Sequence, residues 1–147
     1  MRRVDAASPV VVLDASAAID LVLRTTVSEP LTDALSRAST PWHAPHLIDA
    51  EVTHVVRRFA RDGVMSSARG ALALEFLLAL PVARHDAGPL LPRVWSLRDT
   101  MTAYDAMYVA LAEALGATLF TRDQRLARAA HRLIPVEIAW TGTSDHA

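Results

Sequence analysis

Asp14, Glu51, Asp105 and Asp123 are the residues of this chain whose type and setting could do chemistry. Asp14 ends the apolar run Val10-Val11-Val12-Leu13, and the next basic residue is Arg24. A carboxylate carried inward by a buried strand is costly unless it is paired, protonated or given a metal. Glu51 is flanked at i−4 and i+4 by Leu47 and Val55, so its helix face is largely apolar. Asp105 follows Thr102 in a T-x-x-D pattern, and Asp123 comes three residues after the run Ala117-Thr118-Leu119-Phe120. Each acid also has a purely structural reading. Glu51 can be a boundary residue reaching water, Asp105 part of a capping box, and Asp123 or Asp14 a helix cap. If one fold gathers all four, the local charge approaches about −4, which protons or a hard divalent cation must neutralise. Oxygen donors without cysteine or histidine point to Mg²⁺ or Mn²⁺ rather than zinc.

Positioning such acids requires short strands that end at one edge. Strand signals occur at Val10 to Leu13, Trp42 to Ala44, Val82 to Arg84, Ala117 to Phe120 and Ile134 to Trp140. Helical patterns separate them. Ser16 to Leu23 is one, and Ser28-Glu29-Pro30 opens another with a cap, an early acid and a first-turn proline. From His46 to Asp62 the residues Ile48, Val52, Val55, Val56 and Phe59 recur at helical spacing before Gly63. The helix from Ser66 or Ser67 to Leu80 is apolar enough to be expected deep in the core or against a partner. Pro89 to Arg98 is a further helix, and Thr102 caps one that closes at Gly116. Asp123 to Arg132 is the last, before a polar tail at 141–147. Strands alternating with helices predict a single-domain, three-layer α/β/α sandwich over residues 1–147, with its core at about 10–140 and a mainly parallel sheet. In such sheets functional groups gather beyond the carboxyl ends of the strands, where Asp14 and Asp123 would meet.

Composition narrows the chemistry. The chain has 147 residues, 52% hydrophobic and 21% charged, with a net charge of −1, which suits one globular domain. It has no cysteine, which excludes disulfides, thiolate zinc sites and a cysteine nucleophile, and fits a reducing cytoplasm. All 15 basic residues are arginine. Without lysine there is no Walker phosphate loop, Schiff base or pyridoxal phosphate chemistry. A phosphoacceptor domain or a haloacid dehalogenase-type phosphatase would also need one. The short amino-terminal apolar run suits a buried strand better than a signal peptide, and nothing approaches the ~18 apolar residues of a membrane span.

The stretches VVLDASA, APHLIDAEVTHVVRR and TAYDAMYVALAEALGATLFTRDQRLARA resemble the PIN-domain nucleases, in particular the VapC toxins of bacterial toxin–antitoxin pairs. The resemblance runs from about Val10 to Ala130 and is most specific from Thr102 to Asp123. It implies that Asp14, Glu51, Asp105 and Asp123 form an acidic quartet, with Asp14 and Asp105 as direct metal ligands. Ser16 and Thr121 match positions where a hydroxyl supports the acids or their bound water. The implied activity is Mg²⁺-dependent RNA cleavage by metal-activated water. The implied partners are an RNA substrate, an antitoxin whose carboxyl-terminal segment covers the acidic cleft, and a second copy in a homodimer. The alternative is a PIN-like domain that binds RNA or protein without cutting.

An acidic centre needs basic flanks to receive RNA. Arg122, Arg125, Arg128 and Arg132 follow the last acid, the latter three expected on one helix face, and Arg57, Arg58 and Arg61 follow Glu51. They read either as phosphate grips or as solvated helix faces. His43, His46 and His54 match no closed zinc motif and read as structural or surface residues. Trp42, Trp95 and Trp140 read as core or interface anchors. Asp49 and Asp99 stand as possible supports for the site.

Overall fold

Short apolar runs alternate with amphipathic segments, and the chain folds as that alternation requires. The computed structural model describes residues 10–23, 33, 36 and 41–138. The elements are β1 (Val11–Leu13), α1 (Ala15–Leu23), β2 (Trp42–Pro45), α2 (Leu47–Arg61), α3 (Ser67–Ala79) and β3 (Val82–His85). A 3₁₀ turn (Gly88–Leu90), α4 (Leu91–Ser96), α5 (Ala103–Leu115), β4 (Thr118–Thr121), α6 (Gln124–Ala130) and β5 (Val136–Ile138) follow. The helix expected to open at Ser28-Glu29-Pro30, the strand end at Trp140 and the tail 141–147 lie outside the described residues.

The strands form one sheet in the order β3-β2-β1-β4-β5, parallel throughout. Val12 pairs with His43 on one side and with Leu119 on the other, so β1 is central. Parallel neighbours need crossovers, which the helices supply as outer layers around the sheet. Helix α5 packs on β1, β2 and β4 with α4 beside it, while α1, α2 and α3 pack among themselves. Val12, Leu13, Ile48, Val52, Val109, Leu119 and Leu126 are fully buried between these layers. Each such side chain contributes about 1.5–3 kcal/mol relative to exposure.

Three boundaries set the geometry of the site. Thr102 caps α5, its hydroxyl accepting from the Asp105 amide at 3.2 Å, and Gly116 ends that helix with φ of 60°. Gly63, at φ 75°, turns the chain after α2. Because all strands run the same way, Asp14, Thr121 and the start of α2 emerge along one edge.

For two elements read as either core or partner-facing, the structure removes the core reading and leaves the partner-facing one. Helix α3 is not deep in the core: only Gly70, Ala73 and Leu77 are buried, and Leu72 and Leu78 are 50% and 75% exposed. It forms an outer layer and approaches through small residues, since a Cβ on Gly70 would meet Val56 Cγ1 at 3.2 Å. Trp42 is a core residue in edge contact with Phe120, but Trp95 is 70% exposed beneath the Arg98 guanidinium. The six-residue α4 buries Val94 instead. Among the described residues no helix is long and apolar enough to cross a membrane.

Candidate active site

Asp14 sits just past β1 and is 4% exposed. The strand register holds its backbone, with the Asp14 amide donating to Phe120 carbonyl oxygen at 3.1 Å. Its carboxylate receives three donors. Ser16 Oγ at 2.7 Å and the Ala17 amide at 3.1 Å reach Oδ1, and Thr121 Oγ1 at 2.6 Å reaches Oδ2. Burial still dominates. It pushes the Asp14 carboxyl up to about 6, against the three hydrogen bonds and with the help of the Asp123 charge.

The two hydroxyls also clamp the turn after β4. Ser16 Oγ accepts from the Arg122 amide at 2.9 Å, and Thr121 Oγ1 accepts from the Asp123 amide at 2.9 Å. Asp123 caps α6, its Oδ1 accepting from the amides of Arg125 and Leu126 at 2.9 and 3.1 Å. Its capping and site readings therefore coexist. Asp105 stands in the first turn of α5, and Arg125 Nη2 donates to its Oδ2 at 2.8 Å while also lying 3.3 Å from Asp123 Oδ2.

Glu51 is held from α5. Tyr108 Oη donates to Glu51 Oε1 at 2.8 Å, and the tyrosine is 2% exposed. Burial raises the Glu51 carboxyl, the Tyr108 bond offsets part of this, and the Asp105 charge adds to it. The same burial, with the charges of Glu51 and Asp14, holds the Tyr108 phenol far above its ordinary range. It stays a donor.

All four sequence-selected acids line one open cavity of about 560 Å³ with Ser16, and Thr121 bonds Asp14 from behind. Tyr104, Tyr108, His54 and a set of apolar side chains complete the lining. Among the described residues no three acidic or histidine side chains converge tightly enough to hold an ion unaided. The acids are nevertheless oxygen donors, the charges of Asp123 and Asp105 help to raise the carboxyls of Asp14 and Glu51, and an arginine cation already bridges two of the four. That suits a hard, partly hydrated divalent ion gripped by one or two carboxylates with waters completing its shell.

The other sequence candidates separate. Arg122 Nη1 lies 2.6 and 2.7 Å from the carboxylate of Asp20, which is 5% exposed, so the side chain has a role in the fold beside the phosphate role read for it from the sequence. Arg128 is exposed on α6, whereas Arg132 lies beyond the helix end and does not share its face. Arg57, Arg58 and Arg61 are exposed on α2. Asp49 pairs with Arg84 at 2.9 Å away from the acids, and Asp99 lies 3.9 Å from Arg98 on the surface. The histidines form no shared centre, because His43 Nδ1 meets His85 Nε2 at 2.9 Å, His46 faces Asp86 and only His54 reaches the cavity.

Sequence reasoning missed Tyr108, Tyr104 and Asp20. Tyr108 is three residues after Asp105, a spacing that places both on one helix face. Asp20 is the lone acid in the apolar helix ASAAIDLVL, itself a sign of a buried partner.

Comparison with known proteins places these features. The PIN domain family profile matches residues 11–132. Ribonuclease VapC3 of Mycobacterium tuberculosis strain H37Rv is 47% identical over 120 residues, spanning 81% of this chain and 86% of the relative. In fold, the crystal structure of PAE2754 from Pyrobaculum aerophilum superposes with a TM-score of 0.67 at 21% identity, covering 88% of this chain and 90% of that one. VapBC2 from Rickettsia felis, bound to a DNA fragment from their promoter, superposes with a TM-score of 0.65 at 14% identity over 87% of this chain and 97% of that one.

Proposed function

The chain belongs to the PIN-domain family, and from that premise we propose that it is a metal-dependent endoribonuclease, the toxin of a cytoplasmic toxin–antitoxin pair. The observation that carries this reading is the convergence of Asp14, Glu51, Asp105 and Asp123, from four separate parts of the chain, on one cavity. The ribonuclease name of a relative 47% identical supports the substrate class. An antitoxin that covers the acidic cleft is the partner in this proposal, and the VapBC2 name of a structure with the same fold is in keeping with a partnered protein. A single domain spanning about 10–140 and a homodimer belong to the same proposal.

Asp14 and Asp105 would hold Mg²⁺ or Mn²⁺, with Asp123 and Glu51 completing the acidic ring. A bound ion of this kind supplies a water of lowered pKa and offsets charge that grows on the phosphoryl oxygens. Ser16 and Thr121 fix the Asp14 carboxylate so that it need not reorient during reaction. Tyr108 fixes Glu51 through Oε1, leaving Oε2 as the atom that takes a proton from the attacking water. Arg125 and Arg128 are the side chains assigned to draw the phosphate backbone toward the acids.

The test is to sequence RNA 5′ ends after brief expression of the wild type, Asp14→Asn and Asp105→Asn. New ends are expected in the wild type alone. An end profile shared by all three, with RNA bound by each, would assign the fold to binding without cutting.

A further inference from the structure

The cavity is larger than a hydrated metal ion alone requires, and part of its lining is apolar. A cation with six waters fills roughly 180 Å³ at ~30 Å³ per water, against about 560 Å³ here. The surplus space is not acidic. Leu47 and Val55 flank Glu51 one turn to either side on α2, and Ile19 of α1 adds to the same wall. Tyr104 also lines the cavity. It immediately precedes Asp105, yet the residue is 62% exposed and its hydroxyl has no hydrogen-bond partner among the described residues. Buried tyrosines normally find such a partner, and Tyr108 one turn on has done so. Tyr104 thus packs little of the fold and presents a flat face at the mouth of the acidic cavity.

We propose that Tyr104 and the apolar wall of Ile19, Leu47 and Val55 form a nucleobase subsite, which receives one unpaired base of single-stranded RNA beside the acids Asp14 and Asp105. The proposal rests on the ribonuclease reading and specifies its substrate. A base paired in a duplex keeps its face stacked on neighbours, so only an unpaired or extruded base offers that face to a tyrosine. A base lies one sugar away from its own phosphate, and Tyr104 and Asp105 line the same cavity. Stacking on an aromatic ring tolerates any base, so the subsite selects for single-strandedness more than for sequence.

The experiment pairs a protein change with a substrate change. A short RNA cut by the wild type is remade with an abasic nucleotide on either side of the cut, and kcat/KM is measured with Mg²⁺ for the wild type, Tyr104→Ala, Tyr104→Phe and Tyr104→Trp. One abasic position is expected to cost the wild type roughly tenfold to a hundredfold, carried mainly in KM. Tyr104→Ala should lose as much on the intact RNA and little more on the abasic one, while Phe and Trp retain activity. Losses that multiply, or a Tyr104→Ala enzyme equal to the wild type, would overturn the subsite. So would a Tyr104→Ala variant that cuts normally but no longer binds its protein partner. Unchanged melting and Mg²⁺ affinity of Tyr104→Ala separate the effect from misfolding. If the wild type cuts nothing, the ribonuclease reading fails separately. Quenching of 2-aminopurine in single-stranded RNA, measured in Ca²⁺ buffer, then decides the subsite by its loss or persistence in Tyr104→Ala.

Discussion

Arg125 bridges Asp105 and Asp123, its Nη2 lying 2.8 Å from one carboxylate and 3.3 Å from the other. The side chain is 61% exposed and reaches back across the mouth of the cavity from α6. It occupies the place between two acids where a divalent cation would bring charge. The neighbouring carboxylates hold its guanidinium even more firmly protonated than usual.

On the metal-dependent reading proposed above, Arg125 and Mg²⁺ would compete. Replacing the arginine with glutamine should tighten Mg²⁺ binding by roughly two- to fivefold, a modest change because the pair is solvent-exposed. Isothermal titration of wild type and Arg125→Gln checks it. Weaker binding in the variant would mean that the arginine helps the ion instead of standing in for it.

Asp14 gives the metal-free protein an unusual pH dependence. Its carboxyl is near 3.8 when unfolded and about 6 when folded, so the folded state holds the proton more tightly. Its contribution to stability is full below pH 3.8 and is lost as pH rises through about 6. The group should cost up to about 3 kcal/mol at neutral pH relative to acid. Denaturation in EDTA at pH 5 and 7.5 should show Asp14→Asn more stable than the wild type at the higher pH, and the gap narrowing at the lower one. A pH-independent gap would contradict the buried, ionised carboxylate.

Tyr108→Phe keeps the ring and removes one donor. The Glu51 carboxyl should shift further upward, since the phenol bond holds it down, and carboxyl NMR titration reads this directly. Stability should fall by about 1 kcal/mol. RNA cleavage should fall roughly tenfold in kcat with little change in KM, as expected when a proton acceptor loses its orientation.

Arg122 and Arg128 should behave differently although they are neighbours in sequence. Arg122→Ala removes the 2.6 Å contact to buried Asp20 and should cost about 2 kcal/mol in chemical denaturation. Arg128→Ala should leave stability within about 0.5 kcal/mol while weakening RNA binding and its salt dependence. Equal stability of the two variants would show that the Asp20 pair contributes nothing.

The alternation of strands and helices was legible because periodicity and end signals such as Thr102, Gly116 and Gly63 are local. The meeting of Asp14 and Asp123 at one cavity was legible for a related reason: acids placed just beyond parallel strands come together if the strands pair. What pairs with what was less legible. Nothing near Arg122 in sequence indicates Asp20, which lies 102 residues away, and Tyr108 meets Glu51 across 57. The apolar α3 misled because hydrophobic content alone cannot distinguish a core helix from an outer one, whereas the small residues Gly70 and Ala73 mark its contact line.

The bond from Thr121 to Asp14 joins residues 107 positions apart, and until the later residue is made the Asp14 Oδ2 atom lacks the donor that holds it in the finished fold. Translation proceeds at about 5–20 residues per second, so a nascent chain carries Asp14 on the order of ten seconds before Asp123 is made. Through that interval the ribosome holds an acid without its site. A site assembled this way exists only once its last acid has been made, however early its first was placed.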